Sequence, residues 1–217
     1  MPASKRPLHN DLDTALLEPG DVVLVANSHD NRAIRWTMFW SHAAIYTGRE
    51  PNEAFIDAVN LPVGRHAKRQ IWRQVRFTPM ARFRHYEDVL VLRPKAPPEV
   101  RRRAAEYAVA QVGKPFPPTW RAFFTGTNSD AYFSCTSLIW HAYHSQGIDL
   151  SARRRPFGLG RRIIPSPRSF QRHPRLRPVA RGTRVLRAQL LAPRGWIRLA
   201  GRIWFCYGLR VGIVLSA

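Results

Sequence analysis

All 14 acidic residues of this 217-residue chain lie within residues 1–150. Residues 151–217 carry 16 arginines, no lysine and no acid, a formal balance of +16. Residues 1–150 hold 19 basic residues against the 14 acids, a balance of +5. The chain therefore reads as one near-ordinary globular domain followed by a strongly cationic segment. Arginine outnumbers lysine 31 to 4. Genome base composition can favour arginine over lysine, but it does not remove acids. The length suffices to bury a sizeable core.

Two cysteines are too few for a disulfide framework, which points to a reducing compartment. The opening "MPASKRPLHNDLDTALLEPGD" holds no apolar run of the kind an export signal needs. No stretch of about 20 residues is free of charge, so a simple spanning helix is not expected. A cytoplasmic protein is the expectation.

Pro19-Gly20 is a turn signal, and "DVVLVA" (21–26) then reads as a buried strand. "RAIRWTMFW" (32–40) has helical spacing and suits a short helix or turn. Strands are expected at 42–48, 53–59, 69–77 and 88–94, the last stopped by Pro94. The clearest helix spans 97–113, with Pro98 and Glu99 in its first turn and Gly113 past its end. A second helix spans 135–147, with Ser134 as N-cap and Gly147 as stop. Strands first and helices around them give an α+β class with an antiparallel sheet.

Residues 151–195 are rich in Arg, Pro and Gly and read as loop. Residues 196–217, "WIRLAGRIWFCYGLRVGIVLSA", differ: Arg198, Arg202 and Arg210 share one helical face, and apolar and aromatic residues fill the rest. That pattern suits an amphipathic helix at a membrane interface, its arginines reaching phosphates while the apolar body buries. The alternative is a C-terminal helix packed on the domain or on another subunit.

The chemistry centres on "YFSCTSLIWHAYH" (132–144), which sets Cys135 at the start of the second helix. Thiolate is the reactive form of cysteine, and a helix N-terminus favours an anion. A nucleophile also needs a base, itself oriented by a third group. By spacing the best base is His42, at the start of a strand. Asp57 lies in the middle of the next strand, where an acid is otherwise costly to bury. If these strands pair as a hairpin, Asp57 lies beside His42 on one face. The bland readings are a core cysteine and a structural histidine. His141 and His144 share the Cys135 helix but lie more than a turn away, as packing or surface residues. His9, His29, His66, His85 and His173 fall in loop-like stretches. Two cysteines 71 residues apart without spaced histidines make no zinc site, so neither metal nor cofactor is expected.

The order "PGDVVLVA", "WSHAAIYTG", "AFIDAVNLPVG", "VGKPFPP", "YFSCTSLIWHAY…GIDL" resembles the circularly permuted NlpC-type papain-like enzymes, specifically the YiiX/YebB-like branch related to lecithin:retinol acyltransferase. The resemblance covers about residues 19–180 and includes "IIPSPRSFQRHPRLRPV" (163–179), similar to a Pro-containing segment after the cysteine helix. It implies a permuted papain-like domain with a sheet or half-barrel against helices, residues 1–18 as an extension and 181–217 as an Arg-rich appendage. It implies His42 as base, Asp57 as orienting acid and Cys135 as nucleophile. Ser137 stands where the family commonly has Glu, and Asp57 where Glu is more frequent.

The implied activity is a thiol hydrolase or acyltransferase working through an acyl-Cys135 intermediate. An ester or amide of lipid-like character at an anionic membrane surface is the first expectation, with the protein peripheral at the inner face. A peptidase or amidase on peptide-like bonds is the second. A basic nucleic-acid-binding module, or a catalytically dead membrane-binding scaffold, leaves enzymology. Charge alone fits nucleic acid, but the tail lacks a named motif and its aromatic residues sit in an apolar helix.

Overall fold

The computed structural model describes residues 10–27, 39–62, 71–117, 130–151 and 165–183. The chain divides into two compact units, Met1–Arg184 and Val185–Ala217, and all described residues belong to the first. The expected helix at 196–217 and residues 32–38 of the helix or turn expected at 32–40 lie outside the described residues.

Among the described residues, six antiparallel strands form one sheet: β1 (Val22–Ala26), β2 (His42–Tyr46), β3 (Phe55–Pro62), β4 (Ile71–Thr78), β5 (Asp88–Pro94) and β6 (Leu176–Thr183), in the order β4-β3-β2-β1-β5-β6. The first four form a meander, and the chain then crosses to the other side of β1. The unbroken apolar sequence of β1 has a structural cause. Val22, Leu24 and Ala26 face one apolar cluster, and Val23 and Val25 face a second, so both faces of the strand are covered. The first cluster holds the helices α2 (Pro98–Val109) and α3 (Cys135–His144). The second holds Leu12 and Leu17 from the N-terminal segment and Phe83 of the short helix α1 (Met80–Arg84).

Helix α3 starts at a reciprocal cap. Ser134 Oγ accepts from Ser137 N at 3.2 Å, and Ser137 Oγ accepts from Ser134 N at 2.8 Å. It ends at His144, and Gly147 takes the left-handed φ of +79° that stops the chain from continuing as helix.

The loop reading of 151–195 is corrected between residues 166 and 183. Ser166 caps a short helix α4 (Pro167–Gln171), and Leu176–Thr183 forms β6 on β5. Pro178 and Gly182 argue against a central strand, but β6 is an edge strand, where a proline need not donate. The ladder is irregular at Val91/Leu92, opposite the proline. The strand expected at 53–59 begins at Phe55, because Pro51–Glu53 forms a tight turn instead.

Candidate active site

Strand β2 pairs with β1 from His42 to Ile45, with Val25 opposite His42 and Val22 opposite Ile45. Its ladder with β3 consists of Tyr46↔Phe55 and Ile45↔Ile56. Alternation from those pairs puts His42 and Asp57 on one face, as the hairpin reading expected. His42 Nε2 donates to Asp57 Oδ2 at 2.9 Å. Helix α3 packs on both β2 and β3. It sets the half-buried Cys135 thiol close enough to the imidazole to act on its protonation. Since Nε2 is held by Asp57, Nδ1 is the nitrogen left to meet the thiol. The three residues singled out in the sequence therefore converge.

The electrostatics follow from burial and pairing. Burial by itself would push the His42 imidazolium down. Hydrogen bonds and charges from Asp57 and Cys135 outweigh it and hold His42 well above the ordinary 6.5. Burial would likewise push Asp57 up. The His42 hydrogen bond and charge, the Thr78 hydroxyl and the Arg76 charge together hold it below the ordinary 3.8. Asp57 is 1 % exposed, so an unpartnered carboxylate there would be expensive.

The approach to His42 is shaped by neighbours that sequence reasoning did not identify. Phe39 adopts φ = 60°, a left-handed backbone unusual for a bulky residue. The turn delivers Trp40 into the core, where its Nε1 donates to Gln171 Oε1 of α4 at 2.8 Å. The Pro-containing segment after the cysteine helix thus helps anchor the residues leading into His42. Ser41 N donates to Val25 O at 3.0 Å and fixes the start of β2.

Ser137 is buried and serves the helix cap, so it stabilises the turn that presents Cys135 rather than the imidazole. Among the described residues, His141, His144 and His173 lie elsewhere. His141 packs edge-on against Phe133 and Trp140, and burial pushes it down. His144 stacks on Trp140, and His173 Nδ1 accepts from Arg175 N.

A family model described as permuted papain-like amidase enzymes, YaeF/YiiX, C92 family, matches residues 16–191. The chain belongs to that family. Among solved structures, the crystal structure of metalloprotein yiiX from Escherichia coli O157:H7 is similar, with a TM-score of 0.55 and 19 % identity over 75 % of this chain and 96 % of that one. At that identity the likeness shows the fold. No curated protein matches the chain. In this chain the cysteine helix follows β1–β5 and precedes β6.

That neighbour is described as a metalloprotein. Among the described residues of this amidase-family chain, no group of three or more His, Cys, Asp or Glu side chains is arranged to hold a metal ion. The Asp57 oxygens are engaged by His42 and Thr78, and His42 itself lies between Asp57 and Cys135. This set suits proton transfer and does not fit a metal.

Proposed function

We propose that this chain is a thiol-dependent amide or ester hydrolase in which Cys135 is the nucleophile, His42 the acid–base and Asp57 the residue that orients it. The observation that carries the reading is the convergence of three elements on one imidazole: β2 supplies it, β3 holds Nε2, and α3 brings the thiol.

The chemistry follows from that placement. The Cys135 proton moves to His42 Nδ1, and the sulfur attacks the acyl carbonyl carbon. The carbonyl oxygen becomes an oxyanion near the first-turn N–H groups of α3, which have no intrahelical acceptors. The C–N or C–O bond breaks as the imidazolium proton passes to the leaving amine or alcohol. An acyl-thioester remains. Water, deprotonated by His42, then attacks it and releases the acid and the thiol. A second acceptor in place of water would make the same intermediate an acyltransferase. Asp57 remains anionic throughout and supports the imidazolium.

Iodoacetamide at limiting concentration near pH 6 tests the pair, because an ordinary thiol, with pKa about 8.5, is almost fully protonated there. Fast single labelling at Cys135 that is lost in His42→Ala supports the reading. Slow labelling indifferent to His42 would make Cys135 a core cysteine. A screen of amide and ester donors follows.

The finer part of the reading is a lipid-like acyl group taken at an anionic membrane surface from the cytoplasmic side. It rests on the sequence of residues 196–217 and the positive charge before them. No helix among the described residues is long and apolar enough to cross a membrane. Flotation with anionic and neutral liposomes tests it: binding that survives deletion of 196–217 would remove the helix from the account. Peptide-like amides are the alternative substrates.

A further inference from the structure

Asp57 can orient His42 only if its own carboxylate is fixed in place and kept anionic, although it is almost fully buried. The surroundings show how. Each carboxylate oxygen has its own donor: His42 Nε2 at 2.9 Å on Oδ2, and Thr78 Oγ1 at 2.8 Å on Oδ1. Arg76 Nε lies 3.9 Å from Oδ1, too far for a hydrogen bond but close enough for charge to act. Both Thr78 and Arg76 come from β4. The β3–β4 ladder runs unbroken from Phe55↔Thr78 to Pro62↔Ile71, with Asp57 directly opposite Arg76 and Thr78 on the adjoining diagonal. Gln74, Arg76 and Thr78 thus share the face of Asp57.

We infer that Thr78 is a positioning residue of the proposed site, its hydroxyl fixing the Asp57 carboxylate that holds His42, with Arg76 as a supporting charge. Thr78 is fully buried, and its hydroxyl hydrogen is committed to Oδ1, so it cannot reach substrate. It acts through Asp57. Threonine suits a strand and carries the single donor the site requires. Valine would keep the shape and remove the donor. The titratable and charged groups about the carboxylate among the described residues are His42 from β2, Arg76 from β4 and, beyond the imidazole, Cys135 from α3.

The inference rests on the Cys135–His42 reading, and the test separates the two. The rate of Cys135 alkylation by iodoacetamide is measured from pH 2.5 to 9 by intact mass for the wild type and for His42→Ala, Thr78→Val, Thr78→Ser and Arg76→Gln. A fast wild-type reaction that vanishes in His42→Ala establishes the reading. Given that, Thr78→Val is expected to move the acid limb upward by about one pH unit, because loss of a hydrogen bond to a charged acceptor makes Asp57 take up its proton earlier. Thr78→Ser is expected to restore the limb. Arg76→Gln is expected to move it in the same direction by less, and this variant carries the test if Thr78→Val does not fold. A folded Thr78→Val with an unmoved limb, or an Arg76→Gln limb that stays in place when the valine variant does not fold, overturns the inference and leaves the reading standing. A wild type without His42-dependent alkylation overturns both.

Discussion

Two buried carboxylates sit at opposite ends of the same strand pair. His42, with Asp57 on it, is opposite Val25 at one end of the β1/β2 ladder, and Asp21 precedes Val22 at the other. Helix α3 connects the two ends, from Cys135 to Tyr143 eight residues on, a rise of about 12 Å. Asp57 is held by a histidine, a hydroxyl and a distant charge. Asp21 is held by Arg93, which donates Nε to Oδ1 at 2.9 Å and Nη2 to Oδ2 at 2.8 Å. Glu18 joins it, accepting from Arg101 Nη2 at 2.6 Å, and Tyr143 donates its hydroxyl to Gly20 O. The Arg93 guanidinium keeps its proton at any working pH, and its hydrogen bonds to Asp21 raise it further. One end is built around an imidazole that can exchange a proton, and the other around a guanidinium that does not. The first arrangement permits chemistry; the second locks β1, β5, α2 and α3 together.

Substitutions should separate these roles. Under the proposed mechanism, Cys135→Ala abolishes turnover and His42→Ala lowers kcat/KM by about 10²–10⁴-fold. Thermal unfolding should be unchanged in Cys135→Ala, whereas His42→Ala leaves the buried Asp57 carboxylate with Thr78 and the distant Arg76 only and should lower stability. Arg93→Met should do the reverse. It leaves Asp21 buried without its partner and costs about 3–5 kcal/mol, read by urea unfolding, while alkylation of Cys135 in the folded fraction stays fast. If Arg93→Met left stability intact and erased Cys135 reactivity, the contrast between the ends would be wrong.

Gly20→Ala should cost about 1–3 kcal/mol or more. Gly20 has φ = +88°, and a Cβ there would lie 2.4 Å from Arg101 O and 2.7 Å from the Tyr143 hydroxyl. Ser137→Ala, at the reactive end, removes half of the α3 cap and should cost about 1 kcal/mol. A larger loss of Cys135 alkylation rate than of stability would show that the cap positions the thiol.

The pH dependence sharpens the comparison further. His42 is raised on folding, so its contribution to stability is complete below about 6.5 and is lost as pH rises through the higher folded value. Asp57 is lowered, so its contribution is present above about 3.8 and is lost as pH falls through the folded value. The alkaline limb of kcat/KM should accordingly lie well above 6.5, and Asp57→Asn should draw it down. Arg93→Met, acting at the other end, should leave that limb where it is.

Much of this was readable from residues alone. Apolar runs marked β1 and β5, Ser134 and Gly147 bounded α3, and an acid in the middle of "AFIDAV" asked for a partner. Local chemistry sets those features: burial demands apolar strands, orphan N–H groups demand a cap, and a buried carboxylate demands a donor. Order along the chain, with its resemblance to permuted papain-like enzymes, then singled out Cys135, His42 and Asp57. What stayed hidden depends on registers between distant segments. Thr78 and Arg76 gain meaning only when β4 is paired residue by residue with β3. Arg93 and Asp21 meet across 72 positions, and Trp40 and Gln171 across 131. Strand β6 forms because β5 offers it an edge, although its own Pro, Gly and Arg residues favour a loop. The sequence by itself determined which groups need partners; the tertiary structure decided which partners they have, because pairing register and helix docking are properties of the assembled sheet and not of any segment within it.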